Sequence, residues 1–235
     1  MFNKNILLFL LINFYIIVLI IIVLITTSKI IKISNIKKQT DNLIQVIATD
    51  TGYLIQNKKE KYKNSDIDKY YPVTKYDVLN KETNKITDNI IQKFKEEVKD
   101  DRNYRLIINF DYYETKTHIS IVFHTFVDLA LAHPMVYVDT INYNKKENKI
   151  ETIDKYINED KNFLKNVSKS VYDDLSKQQI YKDEDLKKYL KEALSNYKEI
   201  FSDYIVEEEG ITFIFETYKV APYVYGELQS FVEIK

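Results

Sequence analysis

Cysteine is absent from the 235 residues, which removes thiol nucleophiles, disulfides and thiolate metal sites together. Tryptophan is absent too, and glycine and proline occur only three times each. With Gly52, Gly210 and Gly226 as its glycines, the chain can build neither a P-loop nor a dinucleotide fingerprint, both of which need several close-set glycines. There is no G-x-S-x-G elbow and no H-E-x-x-H helix. Net charge is also close to nil. The 34 Lys and Arg stand against 35 Asp and Glu, so no global field draws in polyanions, and nucleic acid is not an expected partner. No motif calls for a cofactor.

What the chain does have is enough apolar matter, 45%, for one domain with a sizeable core or two small ones. Residues 6–25, "ILLFLLINFYIIVLIIIVLI", run without a charge. A helix of that length rises about 30 Å, the thickness of a bilayer's hydrocarbon core. Secretory signal cores run to about 7–15 residues and end in a small-residue site. The longer run here, followed by the poor cleavage site "TTSK", reads as an uncleaved signal anchor over residues 6–28. Residues 1–5 are then a short tail with no room for a folded cytoplasmic domain. Lys29, Lys32, Lys37 and Lys38 follow the span while Lys4 precedes it, so the positive-inside rule read strictly would keep the large domain in the cytoplasm.

Residues 29–69 read as a juxtamembrane linker and first strands, with a turn at Asp50, Thr51 and Gly52. The charged stretch "NKKEKYKNSDIDK" reads as a surface loop. Over 70–235 three amphipathic helices announce themselves by period. Ile86, Ile90, Ile91, Phe94 and Val98 mark the first; Phe163, Leu164, Val167, Val171 and Leu175 mark the second. Leu186, Tyr189, Leu190, Ala193, Leu194, Tyr197 and Ile200 form a third stripe, with Asp183 as its N-cap. Elsewhere the period drops to two: "YRLIINFDYYE" and "HISIVFHTF" as one strand pair, "MVYVDTINYN" and "NKIETIDKYI" as another. A hairpin over "SDYIVEEEGITFIFETY", turning at Glu208, Glu209 and Gly210, precedes a closing strand "LQSFVEIK". Strands and helices without regular alternation predict an α+β domain, a largely antiparallel sheet packed with two to three amphipathic helices.

Three histidines, His118, His124 and His133, are spaced 6 and 9 apart. On one strand His118 and His124 would stand about 20 Å apart, too far to share a metal, and no metal site is expected. Asp128 and Asp139 flank the His133 loop, and Asp139 with His133 would in principle serve as orienter and base. No nucleophile or oxyanion donor stands beside them, so no catalytic residues are assigned. Tyrosine is the unusual abundance, 20 residues beside 12 phenylalanines. Tyr218, Tyr223 and Tyr225 cluster around "APYVYG", where Pro222 and Gly226 frame a loop able to hold rings rigidly towards a protein partner or a sugar ring. The same loop would equally serve to plug the end of the sheet.

"AHPMVYVDTINYN", "NKIETIDKYI" and "ITFIFETYKVAPYVYGELQSFVEI" taken as a set resemble the extracytoplasmic domain of RsiV-type anti-sigma factors, a domain that also precedes the catalytic part of PdaC-type peptidoglycan deacetylases. Ala132 and His133 match the family's Gly-Gly-Ala-His loop, and Ile153 to Tyr156 match a short segment after it. Phe215, Tyr218, Val220, Ala221, Pro222, Tyr223 and Gly226 match the most specific motif, at the C-terminal end. The chain departs from the pattern at Ala130 and Leu131, where the family has glycines. It also shows neither a sigma-binding segment before the span nor the aspartate and paired histidines of a deacetylase domain. The resemblance implies a single-pass, membrane-anchored, extracytoplasmic domain that binds a lysozyme-like muramidase or cell-wall glycan. Its binding residues would be His133, Pro134, Tyr218, Pro222, Tyr223, Tyr225 and Gly226. The alternative it implies is a non-catalytic part, or a degenerate relative, of a peptidoglycan deacetylase. A cytoplasmic scaffold is the reading that the lysines after the span favour.

Overall fold

The computed structural model of the chain describes residues 44–48, 53–195 and 197–234. The expected tail and signal anchor over residues 1–28, and the turn at residues 50–52, lie outside the described residues. Among those described, no helix is long and apolar enough to cross a membrane. All of them except Ile44 lie in one compact unit, Gln45–Lys235.

The fold is α+β, with two sheets. Strands β1 (Ile44–Ala48), β2 (Leu54–Tyr62), β3 (Ser65–Val73), β4 (Arg105–Glu114), β5 (His118–Asp128), β6 (Met135–Asn144) and β7 (Lys149–Glu151) form a seven-stranded sheet in simple chain order. Helix α1 (Asp77–Glu97) joins β3 to β4, and these two strands pair in parallel. The registered pairs from β4 to β7, and β2 with β3, are antiparallel. The sheet is therefore mixed, because a helix crossover returns the chain to the same end of the sheet. Helices α2 (Asp154–Glu159), α3 (Phe163–Leu175), α4 (Glu184–Ala193) and α5 (Tyr197–Ile200) follow. Strands β8 (Tyr204–Val206), β9 (Gly210–Phe215) and β10 (Leu228–Glu233) close the chain as an antiparallel sheet ordered β10-β9-β8.

The charged stretch expected as a loop is instead the β2–β3 hairpin, registered from Leu54↔Val73 to Tyr62↔Ser65. Its buried row is Ile67, Lys69 and Tyr71. A lysine holds the middle apolar position because its methylene stem packs while its ammonium reaches Asp88 Oδ1 at 3.2 Å. Two further expectations shift. "DKYI" is helical, opening α2 after Ile153, rather than the end of a strand. The third apolar stripe is broken: α4 stops at Ala193, where Ser195 Oγ donates back to the Glu192 carbonyl at 2.6 Å, and a separate turn, α5, follows. The Asp183 cap is as expected, its Oδ1 accepting from Asp185 N at 2.8 Å and Leu186 N at 3.2 Å.

Two cores result. One packs α1, through Leu79, Ile91 and Phe94, onto the large sheet at Leu106, Ile108, Ile121 and Phe123. The other packs α3 and α4, through Val167, Val171 and Leu190, onto the small sheet at Phe213 and Phe215. Between the sheets lies a seam of Val122, Val138, Ile205 and Ile214. Gly210, expected in the turn, opens β9 instead, and a Cβ there would stand 2.2 Å from the Val232 carbonyl oxygen. Its glycine is needed for the close approach of β10.

The seam is polar as well as apolar. Strand β8 pairs with β9 on one side only, and its other edge faces the large sheet. There Tyr204 N donates to Thr140 Oγ1 at 3.3 Å, Asn142 Nδ2 donates to the Tyr204 carbonyl at 2.9 Å, and Val206 N donates to Ser120 Oγ at 3.0 Å. Ser120 Oγ in turn donates to Asn142 Oδ1 at 2.6 Å. The near-isosteric change Asn142→Leu leaves a buried carbonyl without a donor and removes the acceptor of Ser120. It should lower stability by about 1–3 kcal/mol for each orphaned group. Urea denaturation measures this, and a loss well under 1 kcal/mol would show that the seam does not depend on these bonds.

Candidate functional site

Two loops far apart in the chain meet at one end of the seam. The first follows β5: Asp128 Oδ1 accepts from Ala130 N at 2.8 Å, closing an Asx turn that carries Ala130 at φ 53°. That left-handed backbone is the conformation a glycine would hold without strain. The second loop leaves β9 and passes through Tyr218 at φ 70°. It is pinned from behind by two tyrosines: the Tyr189 hydroxyl on α4 donates to the Tyr218 carbonyl, and the buried Tyr181 hydroxyl donates to the Val220 carbonyl at 2.9 Å. A 3-10 turn, Tyr223–Tyr225, ends at Gly226, whose φ of 68° and ψ of −153° suit glycine alone.

Where the loops meet, the His133 ring stacks on Tyr223 with centroids 4.1 Å apart and an interplanar angle of 26°. Tyr218 is tilted against both rings, 6.5 Å from His133 and 5.7 Å from Tyr223. The Pro134 carbonyl accepts from Tyr223 OH at 3.0 Å and lies 3.0 Å from His133 Nδ1. Because a carbonyl only accepts, Nδ1 donates to it; when the ring is neutral, Nε2 then accepts from Tyr218 OH, 3.3 Å away. Of the residues expected at a binding surface, the structure therefore joins His133, Pro134, Tyr218 and Tyr223 in one cluster. Pro222, Tyr225 and Gly226 frame the same turn, with Pro222 and Tyr225 exposed. Asp139 is not among the partners of His133.

Neighbouring features add to this face. Leu131 and Val224, in the same two loops, stand 70% and 80% exposed, and composition gave no signal for either. Tyr189 looks like core in its stripe, yet it is 41% exposed and serves through its hydroxyl. A tyrosine in an apolar stripe still needs a partner for that group, and this was the one available clue.

His118 and His124 hold separate positions on β5. His118 Nε2 meets the buried Glu151 Oε2 at 3.0 Å, and Lys155 and Asn144 complete that carboxylate's shell at 2.9 and 3.0 Å. Burial alone would raise the Glu151 carboxyl, but those hydrogen bonds hold it below its ordinary value. His124 lies between Asp111, 3.0 Å from Nε2, and Glu227, 3.3 Å from Nδ1. It thereby ties the residue after Gly226 to the large sheet. Among the described residues no group of three or more His, Asp or Glu side chains is placed to hold a metal ion.

The fold and these two joined loops define an α+β domain whose loops carry an ordered, exposed aromatic face. Residues 143–235 match the family described as "Protein of unknown function (DUF3298)". The chain is 29% identical over 164 residues to the peptidoglycan-N-acetylmuramic acid deacetylase PdaC of Bacillus subtilis, a match over 67% of this chain and 35% of that protein. It thus spans about a third of that relative's length. A DUF3298 family protein from Pseudomonas aeruginosa is similar in structure, with a TM-score of 0.55 at 13% identity, covering 82% of this chain and 92% of that one. A DUF3298 member from Bacteroides fragilis gives a TM-score of 0.49 at 12% identity over the same shares. The Pseudomonas likeness shows that the present fold is one a DUF3298 protein adopts.

The Glu227 carboxylate, followed by Asp111, raises the His124 imidazole above its ordinary value of 6.5. A raised folded value means that the pair's contribution is fully present below about pH 6.5 and is lost as pH rises through the higher folded value. Chemical denaturation across that window should show stability falling, and His124→Asn should flatten the slope. An unchanged slope in the variant would show that the pair contributes nothing.

Proposed function

We propose that the chain is a binding module of the bacterial cell envelope, held outside the cytoplasm by its N-terminal apolar run, that recognises cell-wall glycan through the face built by His133, Tyr218, Tyr223 and Tyr225. The observation that carries this reading is the stacked cluster of His133 and Tyr223 with Tyr218 against it. Rings already fixed by hydrogen bonds lose little freedom when a sugar face stacks on them, so more of the contact energy appears as affinity. Likeness to about a third of a protein named as a peptidoglycan deacetylase supports the choice of polymer. In this reading His133 serves as a contact, held in place by a proline carbonyl and a tyrosine hydroxyl.

A second reading, recognition of a lysozyme-like muramidase, is favoured by Leu131 and Val224, whose exposed apolar side chains in the same two loops suit a protein partner. Calorimetric titration of the full chain in detergent decides between them, with soluble peptidoglycan fragments and hen lysozyme as separate titrants. Glycan binding that Tyr223→Ala weakens at least tenfold, about 1.4 kcal/mol, is the expected result. Binding of lysozyme alone selects the second reading, and silence towards both from folded protein overturns both.

A further inference from the structure

A second concavity, apart from the aromatic loops, lies between the C-terminal end of α1 and the large sheet. It has a volume of about 340 Å³, and its polar walls are Lys93, Glu97, Thr125, Tyr137, Asp139 and Glu216. That volume is of the order that small-molecule sites have, roughly 300–1,000 Å³. Three carboxylates to one ammonium leave the walls two charges negative.

Two groups there have no hydrogen-bond partner among the described residues. Thr125 continues the α1-facing row of β5 after Ile119, Ile121 and Phe123, so it points to the side on which the concavity lies. It is 2% exposed, and its Oγ1 forms no hydrogen bond. Buried hydroxyls are ordinarily satisfied. Asp139, half-buried on β6, forms no hydrogen bond and no ion pair among the described residues. Burial raises its carboxyl, and repulsion from Asp203 and Glu216 adds to the effect, against the opposing pull of Lys93 and Lys219. Glu216 is the organised member: its Oε2 accepts from Val138 N at 3.1 Å, and its Oε1 meets Lys219 Nζ at 3.4 Å. Tyr137 stands beside them 43% exposed, a free ring face at the mouth.

We infer that this concavity is a binding site for a primary ammonium group carried on a sugar ring, the chemistry of a glycan residue that has lost its N-acetyl group. The inference rests on the glycan reading above and names the feature of the polymer that is read. An ammonium brings a positive charge and three N–H donors to walls that hold the Asp139 and Glu216 carboxylates and the buried, unpaired Thr125 hydroxyl. Its charge relieves the repulsion among the carboxylates. An acetamido group supplies one N–H and no charge, so it leaves that repulsion in place. The Tyr137 ring favours a sugar over a lysine side chain as the carrier, since a pyranose face stacks on it and an alkyl stem has no such need.

The test titrates the full chain in detergent with a glucosamine hexamer and an N-acetylglucosamine hexamer, at slightly acidic pH so that the free amines are charged. The glucosamine hexamer should bind at least about tenfold tighter. Asp139→Asn and Thr125→Val, both near-isosteric, should each reduce that preference at least about threefold while the thermal midpoint stays equal or rises. Equal affinity for the two hexamers overturns the inference, as does a preference that neither variant changes. Pentalysine binding as tightly as the glucosamine hexamer also overturns it, by showing a general cation site. If peptidoglycan binds and Tyr223→Ala abolishes it while no amine preference exists, this inference fails and the glycan reading stands. If neither hexamer nor peptidoglycan binds, both fall.

Discussion

A sheet edge with nothing to pair it cannot be buried cheaply, and this fold buries one. Strand β8 has a neighbour on one side only, yet all three of its residues are buried. Its outward N–H and C=O groups find partners in side chains, Ser120, Thr140 and Asn142, rather than in another strand. An unmade bond at such a place costs more than a made one gains. The relative placing of the two sheets, and with it the meeting of the His133 and Tyr218 loops, follows from keeping those three side chains opposite β8. Apolar contact at Val122, Val138, Ile205 and Ile214 holds the sheets together but is indifferent to sliding. The hydrogen bonds supply the register.

The aromatic face is built on that register and then stiffened from outside it. Tyr181 and Tyr189 come from the helical layer beyond the small sheet and hold the backbone of the second loop, while His124 and Glu227 tie its end to the large sheet. Two non-glycine residues, Ala130 and Tyr218, sit at positive φ in these loops. Backbone of this kind costs energy that the surroundings must offset, and the surroundings do so with hydrogen bonds at Asp128 and Tyr189. Rings fixed in this way are ready-made contact surface.

Some of this was legible in the residues. Helix α3 and the start of α4 could be read because each buries one stripe, and Asp183 caps where a cap was due. The β2–β3 hairpin could not, since lysines and aspartates obscured its period of two and Lys69 took an apolar position. Ser120, Thr140 and Asn142 looked like ordinary strand residues; only the buried edge of β8 gives them their task. The approach of Tyr218 to His133, 85 residues apart, had no local pattern to show it; likeness to a known family only put the two loops in one set of expected binding residues. Thr125 gave no sign, and Asp139 was read only as a possible partner of His133, because a missing partner is visible only once the neighbours are placed.

The cores are laid down in chain order. Members of the first run from Ile67 to Tyr143, and members of the second from Ile153 to Val232. Most strand pairing in each half is between neighbours in sequence, so each half can collapse early and locally. The seam requires both halves, and until it closes β8 offers a bare edge to any extended chain nearby. Residues 143–235, which match the family, hold the whole second core but lack Ser120 and Thr140. A newly made chain of this kind is therefore most prone to aggregate after its C-terminal half has formed and before that half has docked.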